Sequence, residues 1–302
     1  MNFYAILPMA FVILWSSAFI SAKAIMADAT AFAALAFRFG IVSASFFTLY
    51  LLLRAYHHYR HKIQGSDRHQ FAKLTTPQMG HAALSGMLLH GFYLGGVFWA
   101  LSHGMNAIIA ALIISLQPVF TAILAVPFLR EKISPLQWLG IVTGFAGTLI
   151  VIGFDIGETI PIPALLICLG ALCASIAGTL YQKRFGQNLP MIESNIIQAA
   201  AATLLHLVLI MAFETPQITF TTQFIAGMAW QIIAVSFGAY VMFLILLKKG
   251  TANQTASLLF LIAPVAAVQG WLVLGEVLTI TDILGLCLAS AGVYLATRPQ
   301  PA

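Results

Sequence analysis

The chain has 302 residues, 61% of them hydrophobic and only 8% charged, about a third of the charged share of a soluble domain. So much apolar side chain excludes a water-soluble fold, and the shortness of the polar breaks leaves no room for a separate soluble catalytic domain. The net charge of +5 is carried by Lys and Arg in those breaks, where membrane orientation accounts for it without nucleic acid.

Taken in chain order, uncharged runs bounded by Pro, Gly or charge predict ten membrane helices. They lie near Phe3–Met26, Ala31–Leu53, Gln78–Leu101, Asn106–Phe128, Pro135–Phe154, Ile162–Tyr181, Met191–Phe213, Phe224–Leu247, Ala252–Leu274 and Ile280–Thr297. Met1 to Tyr4 lacks the basic region of a cleaved signal peptide, so the first run reads as a true span. Thr76-Pro77, Ser134-Pro135 with Gln137, and Pro190 each place proline in a first turn and mark helix starts. Cys168, Cys173 and Cys287 fall inside apolar runs, which suits packing and indicates neither a disulfide framework nor a metal site. No cofactor is implied.

Positive charge is retained on the cytoplasmic side. With the amino terminus inside, twelve of the fourteen Lys and Arg residues become cytoplasmic, among them Arg130, Lys132, Lys183, Arg184, Lys248, Lys249 and Arg298. The predicted outer loops carry Asp28, Asp155, Glu158, Glu214 and Glu276. The reading is a multi-pass protein of the plasma membrane, the inner membrane in a bacterium, with both termini cytoplasmic.

The halves repeat. Gly104 and Pro118 match Gly250 and Pro264 at an offset of 146, and Glu131, Gly140 and Gly147 match Glu276, Gly285 and Gly292 at 145. Lys23 and Lys183 share an offset of 160. Five spans, an odd number, separate the members of each pair, so the halves run through the membrane in opposite senses. The fold expected is an all-α membrane protein of ten transmembrane helices in two inverted five-helix repeats, residues 1–157 and 158–302. That architecture marks alternating-access transporters.

Trp15-Ser16-Ser17-Ala18-Phe19, Arg38-Phe39, Pro118 followed by Arg130-Glu131-Lys132, and the later Pro264, Gly275-Glu276 and Gly285 resemble the drug/metabolite transporter superfamily, specifically its EamA-type members. The resemblance covers essentially the whole chain. It implies a carrier of small metabolites, with an amino acid or related compound the leading substrate and export the leading direction. An importer of the same fold is the alternative. An intramembrane enzyme would need a catalytic cluster that the sequence does not offer, and a passive channel would need rings of like polar groups.

His90, near the middle of the third span, is costly there unless it faces a cavity or a partner. Tyr93, three residues on, is expected on the same face. Trp15, Ser16 and Phe19 suit either an aromatic pocket or plain packing. Asn106, Gln117, Ser175, Thr179, Gln231, Tyr240, Asn253 and Ser257 add polar groups that together suggest a cavity, although each alone could bond its own or a neighbouring helix. Lys23 and Arg38 could snorkel, meet an anionic substrate group or close a gate. Glu131 and Glu276 lie beside the starts of the fifth and tenth helices, where the positive helix end favours a carboxylate. Pro118 and Pro264 are candidate hinges near the middles of the fourth and ninth spans. The glycine faces Gly140, Gly144 and Gly147, and Gly285, Ala289 and Gly292, fit close packing within the bundle or a homodimer. The partners expected are a small-molecule substrate and the lipid bilayer.

Overall fold

The computed structural model describes residues 3–64, 74–105, 110, 113–114, 116–152, 161–274 and 280–298. Asn106, Glu276 and the boundary at 157 lie outside the described residues, as do the side chains of Phe19 and Lys23.

Thirteen α-helices carry the described chain: α1 Phe3–Met26, α2 Ala31–Gln64, α3 Thr76–Gly86, α4 Tyr93–Ser102, α5 Gln117–Leu129, α6 Pro135–Ile152, α7 Ile162–Tyr181, α8 Met191–Phe213, α9 Thr222–Trp230, α10 Tyr240–Lys249, α11 Ala252–Ser257, α12 Ile262–Leu274 and α13 Ile280–Ala296. Several are pieces of one rod. A π-helical segment, Met87–Phe92, joins α3 to α4, another, Gln231–Ala239, joins α9 to α10, and a third, Gln182–Gly186, extends α7. A 3₁₀ turn, Leu258–Leu261, links α11 to α12. Five continuous helices are long and apolar enough to cross a membrane, and five shorter apolar helices accompany them. The protein is therefore a multi-pass membrane protein.

Local chemistry sets the starts. Gln78 accepts from the Thr75 backbone at 2.9 Å ahead of Pro77. Ser134 and Gln137 cap each other reciprocally at 3.0 and 3.3 Å before α6, a capping box that satisfies donors otherwise orphaned at a helix start. α2 runs eleven residues beyond its predicted end, to Gln64. Its polar extension, Arg54 onward, contains no helix breaker, so the helix continues after its apolar stretch has ended.

The principal helix pairings are α6 with α13, α2 with α8, α4 with α7, and α1 with α12 and the α9–α10 rod. Each joins an element before residue 157 to one after it, so the two halves of the chain interlock. The outer surface remains apolar, with Met211, Phe213, Leu166 and Val142 largely exposed, as suits lipid contact.

Where α6 meets α13, glycine removes the barrier to backbone approach. A Cβ on Gly140 would come 2.6 Å from the Gly292 carbonyl oxygen, and one on Gly147 would come 2.8 Å from the Gly285 oxygen. Lipid gives no hydrophobic drive for helices to associate, so close van der Waals packing of small residues holds such a seam. The two predicted glycine faces thus pack on each other within one chain.

Candidate functional site

Arg38 is carried into the bundle by α2, where it is 5% exposed. Its Nε and Nη2 both donate to Ser236 Oγ, at 3.1 and 3.0 Å, and its guanidinium lies 5.1 Å from the Phe39 ring centroid. No carboxylate among the described residues pairs with it. A buried cation held only by a hydroxyl and a ring face lacks the counter-charge that normally compensates desolvation.

Beside it runs a ribbon of rings. Trp15 and Phe243 are 5.9 Å apart, Phe243 and Tyr240 5.8 Å, Tyr240 and His90 4.3 Å, and His90 and Phe39 4.8 Å. Phe39 then stacks on His206 at 6.0 Å. Tyr240 donates to Gln198 Oε1, and the Gln198 amide nitrogen is buried without a partner among the described residues. These side chains come from α1, α2, α8, α10 and the π segments Met87–Phe92 and Gln231–Ala239. A π segment interrupts the regular turn of a helix and recurs at functional positions; here the first of these carries His90 and the second Ser236.

The structure therefore brings Trp15, Arg38, His90 and Tyr240 together, and adds Phe39, Gln198, His206 and Ser236. His206 and Gln198 were findable, since both are strongly polar groups inside an apolar run, the same warrant that singled out His90. Ser236 had no such signal.

Tyr93 packs with Val97 and Ala171, against Trp15 and Ile114, whereas His90 meets Phe39 and Tyr240, so Tyr93 lies beside the Trp15 end of the ribbon and does not share His90's neighbours. Spacing of three predicts a shared face only along an α-helix, and the π segment that ends at Phe92 breaks that register.

The remaining polar residues form separate ties. Gln117 accepts from Ser175 at 2.7 Å and donates to Thr179 at 3.3 Å, fastening α5 to α7. Gln231 donates to the Ala18 carbonyl at 2.8 Å and to Ser21 at 3.0 Å, fastening the π segment Gln231–Ala239 to α1. Ser16 donates to the Ile262 carbonyl at 3.2 Å. Ser257 bonds its own helix at the Asn253 carbonyl, 2.8 Å away, and the Asn253 side-chain oxygen is buried without a partner among the described residues.

Glu131 corrects the expectation placed on it. Its carboxylate accepts from Ala252 N at 2.7 Å and Asn253 N at 3.3 Å, so it caps α11 in the other half and not the neighbouring α6. The physical reason is unchanged: the unpaired N–H groups of a helix start attract an anion. Lys183 donates to the Leu247 and Gly250 carbonyls at 2.7 and 2.6 Å, at the negative end of α10. A carboxylate and an ammonium thus grip the two sides of the α10–α11 turn. At the opposite end of the bundle Glu214 accepts from Phe32 N and Ala33 N, both at 3.0 Å, capping α2.

The prolines differ. Pro118 sits in the first turn of α5, where its missing N–H costs nothing. Pro264 lies just past the 3₁₀ turn, third in α12. It cannot donate to the Phe260 carbonyl four residues before it, and Thr148 of α6 donates to that oxygen instead, at 3.2 Å.

Known proteins agree with this architecture. A solved crystal structure of a protein superposes with a TM-score of 0.76 at 18% identity, over 97% of this chain and 95% of its own. YvbV of Bacillus subtilis, described as an uncharacterized transporter, is 27% identical over 205 residues, 66% of this chain and 67% of its own. A probable amino-acid metabolite efflux pump of Salmonella typhimurium is 25% identical over 209 residues, 66% of this chain and 70% of its own. The model of the EamA-like transporter family matches residues 2–153 and 161–298, and with nearly the whole chain covered the protein belongs to that family of transporters and not to an enzyme class.

Proposed function

We propose that this protein is a secondary transporter that exports amino acids or related small metabolites by alternating access, through ten spans arranged as inverted repeats over residues 1–157 and 158–302. The observation that carries the substrate reading is Arg38. A buried guanidinium with only Ser236 and a ring face as partners among the described residues is completed by a ligand carboxylate, which it can receive through paired N–H donors. The aromatic ribbon beside it supplies apolar contact for a side chain, and the Gln198 amide adds a donor. The Salmonella relative, described as a probable amino-acid metabolite efflux pump, favours the same substrate class and direction.

The offset repeats in the sequence lie five proposed spans apart, an odd number, which supports the inverted arrangement. In this reading the protein resides in the plasma membrane with both termini cytoplasmic. The Glu131 and Lys183 contacts on the α10–α11 turn close the cytoplasmic end, and Pro264 serves as a bend point whose carbonyl is already accommodated by Thr148.

Counterflow into proteoliposomes tests the substrate. Vesicles preloaded with an amino-acid mixture should accumulate labelled substrate, and removing the α-carboxylate by using the corresponding amine should abolish exchange. Equal exchange of acid and amine sinks the role given to Arg38. Single cysteines at Gln187 and Gln217, in a background without native cysteines, should label from opposite sides; labelling from one side refutes the inverted topology.

A further inference from the structure

We infer that the protein carries a site for one anionic phospholipid, separate from the central ribbon, at the basic end of the bundle. A cavity of about 450 Å³ opens there between the start of α1, the end of α10, α11 and the end of α13, within the size range of small-ligand sites. Its lining is graded along the bundle. Lys249 is the last residue of α10, Gln254 lies in the first turn of α11, and Thr297 directly follows α13, so these sit at the mouth. Leu246 lies nearly one turn deeper, and Leu258, Leu261 and Val293 line the cavity further in.

That grading matches a phospholipid. An ammonium at the mouth attracts a phosphate, and the apolar floor receives an acyl chain. The occupant is set by charge: Lys248 and Lys249 close α10 and Arg298 follows Thr297 of the lining, so these cations outnumber the nearby carboxylate of Glu131, held at the start of α11. A basic cluster flanking a membrane helix favours anionic over zwitterionic headgroups. The cavity also backs onto the α10–α11 turn, since Gly250 and Gln254 line it while Lys183 grips Gly250 from the other side.

The full chain in neutral detergent is titrated with dioleoyl-phosphatidylglycerol, dioleoyl-phosphatidylcholine or glycerol 3-phosphate, with bound lipid followed by native mass spectrometry and stability by thermal unfolding. Phosphatidylglycerol should bind with about one equivalent retained and should raise the unfolding temperature, while the other two should not. Lys249→Gln should weaken that binding by about fivefold, the effect of removing one cation near a lipid headgroup. Leu246→Trp, which fills the floor, should abolish it. Lys248→Gln, outside the cavity lining, should bind as the parent does. Equal effects of the two lysine variants would mean diffuse surface charge and overturn the site. Equal binding of phosphatidylcholine, or stabilisation by glycerol 3-phosphate alone, would overturn it as well.

Discussion

Where α6 meets α13 the backbones themselves touch, with Gly140, Gly147 and Gly292 each set against main-chain atoms of the partner. Around His90 the opposite holds, because large rings from α2, α10 and a π segment keep the helices apart and fill the space between them. The first interface has one way to pack. The second is made of side chains with rotamers to exchange and polar atoms still unpaired, among them the Gln198 amide. The contrast teaches where a carrier keeps its fixed seam and where it keeps its adjustable one: close packing resists deformation, while a ligand can only select among arrangements that already differ in contacts.

The largest effect expected is on the seam. Gly292→Leu would drive a side chain into the Gly144 backbone and should cost about 3 kcal/mol or more, read as loss of monodisperse protein after extraction and a lower unfolding temperature. Gly170→Ala, with nothing within 4 Å of the new methyl group, should change neither. If both variants behave alike, the seam is not where stability resides.

Next comes Arg38→Met. An apolar replacement for a buried, poorly compensated charge is commonly neutral or stabilising, so the unfolding temperature should hold while substrate binding falls by about ten- to hundredfold, the loss expected for a charge-assisted pair. A lowered unfolding temperature with substrate binding intact would reverse the roles assigned to the two regions. Tyr240→Phe should be milder. Its hydroxyl donates to Gln198, and removing it leaves that amide oxygen unpaired at about 1–3 kcal/mol, seen as a lower unfolding temperature.

The smallest effect belongs to Glu131→Gln. A carboxylate at a helix start contributes about 0.3–1 kcal/mol, so stability should barely change, yet paired spin labels across the basic end should report a broader distance distribution. An unchanged distribution would remove Glu131 from any gating role and leave it as a plain cap.

Much of the scaffold is legible in the sequence because lipid and helix-end chemistry act locally. Met191–Phe213 starts after Pro190 and ends at Glu214, two residues before Pro216, and Ile162 follows Pro161, all for reasons internal to those turns. The site is less legible because it is assembled from partners distant in the chain. Arg38 meets Ser236 across 198 residues, and Glu131 finds α11 across 121. Neither pairing leaves a mark on local sequence. The shared face expected of His90 and Tyr93 is lost for a different reason: periodicity assumes a regular helix, and nothing in Met87–Phe92 announces a wider turn.

That wider turn has a consequence in the arithmetic of insertions. A π turn is in effect an α-helix that has accepted one additional residue, and each residue of an α-helix advances the side chain by about 100° around the axis. Loss of a single codon between Met87 and Phe92 would let the rod close up to regular pitch, and everything from Tyr93 to Ser102 would swing by that angle relative to α3. His90 would leave the rings of Phe39 and Tyr240, and Gly96, now against Ala171 of α7, would turn away from its neighbour. A length change of one residue would therefore reshape the ribbon more thoroughly than most substitutions, and variation in the position of such wide turns offers a transporter scaffold a discrete way to re-aim one helix against its binding site.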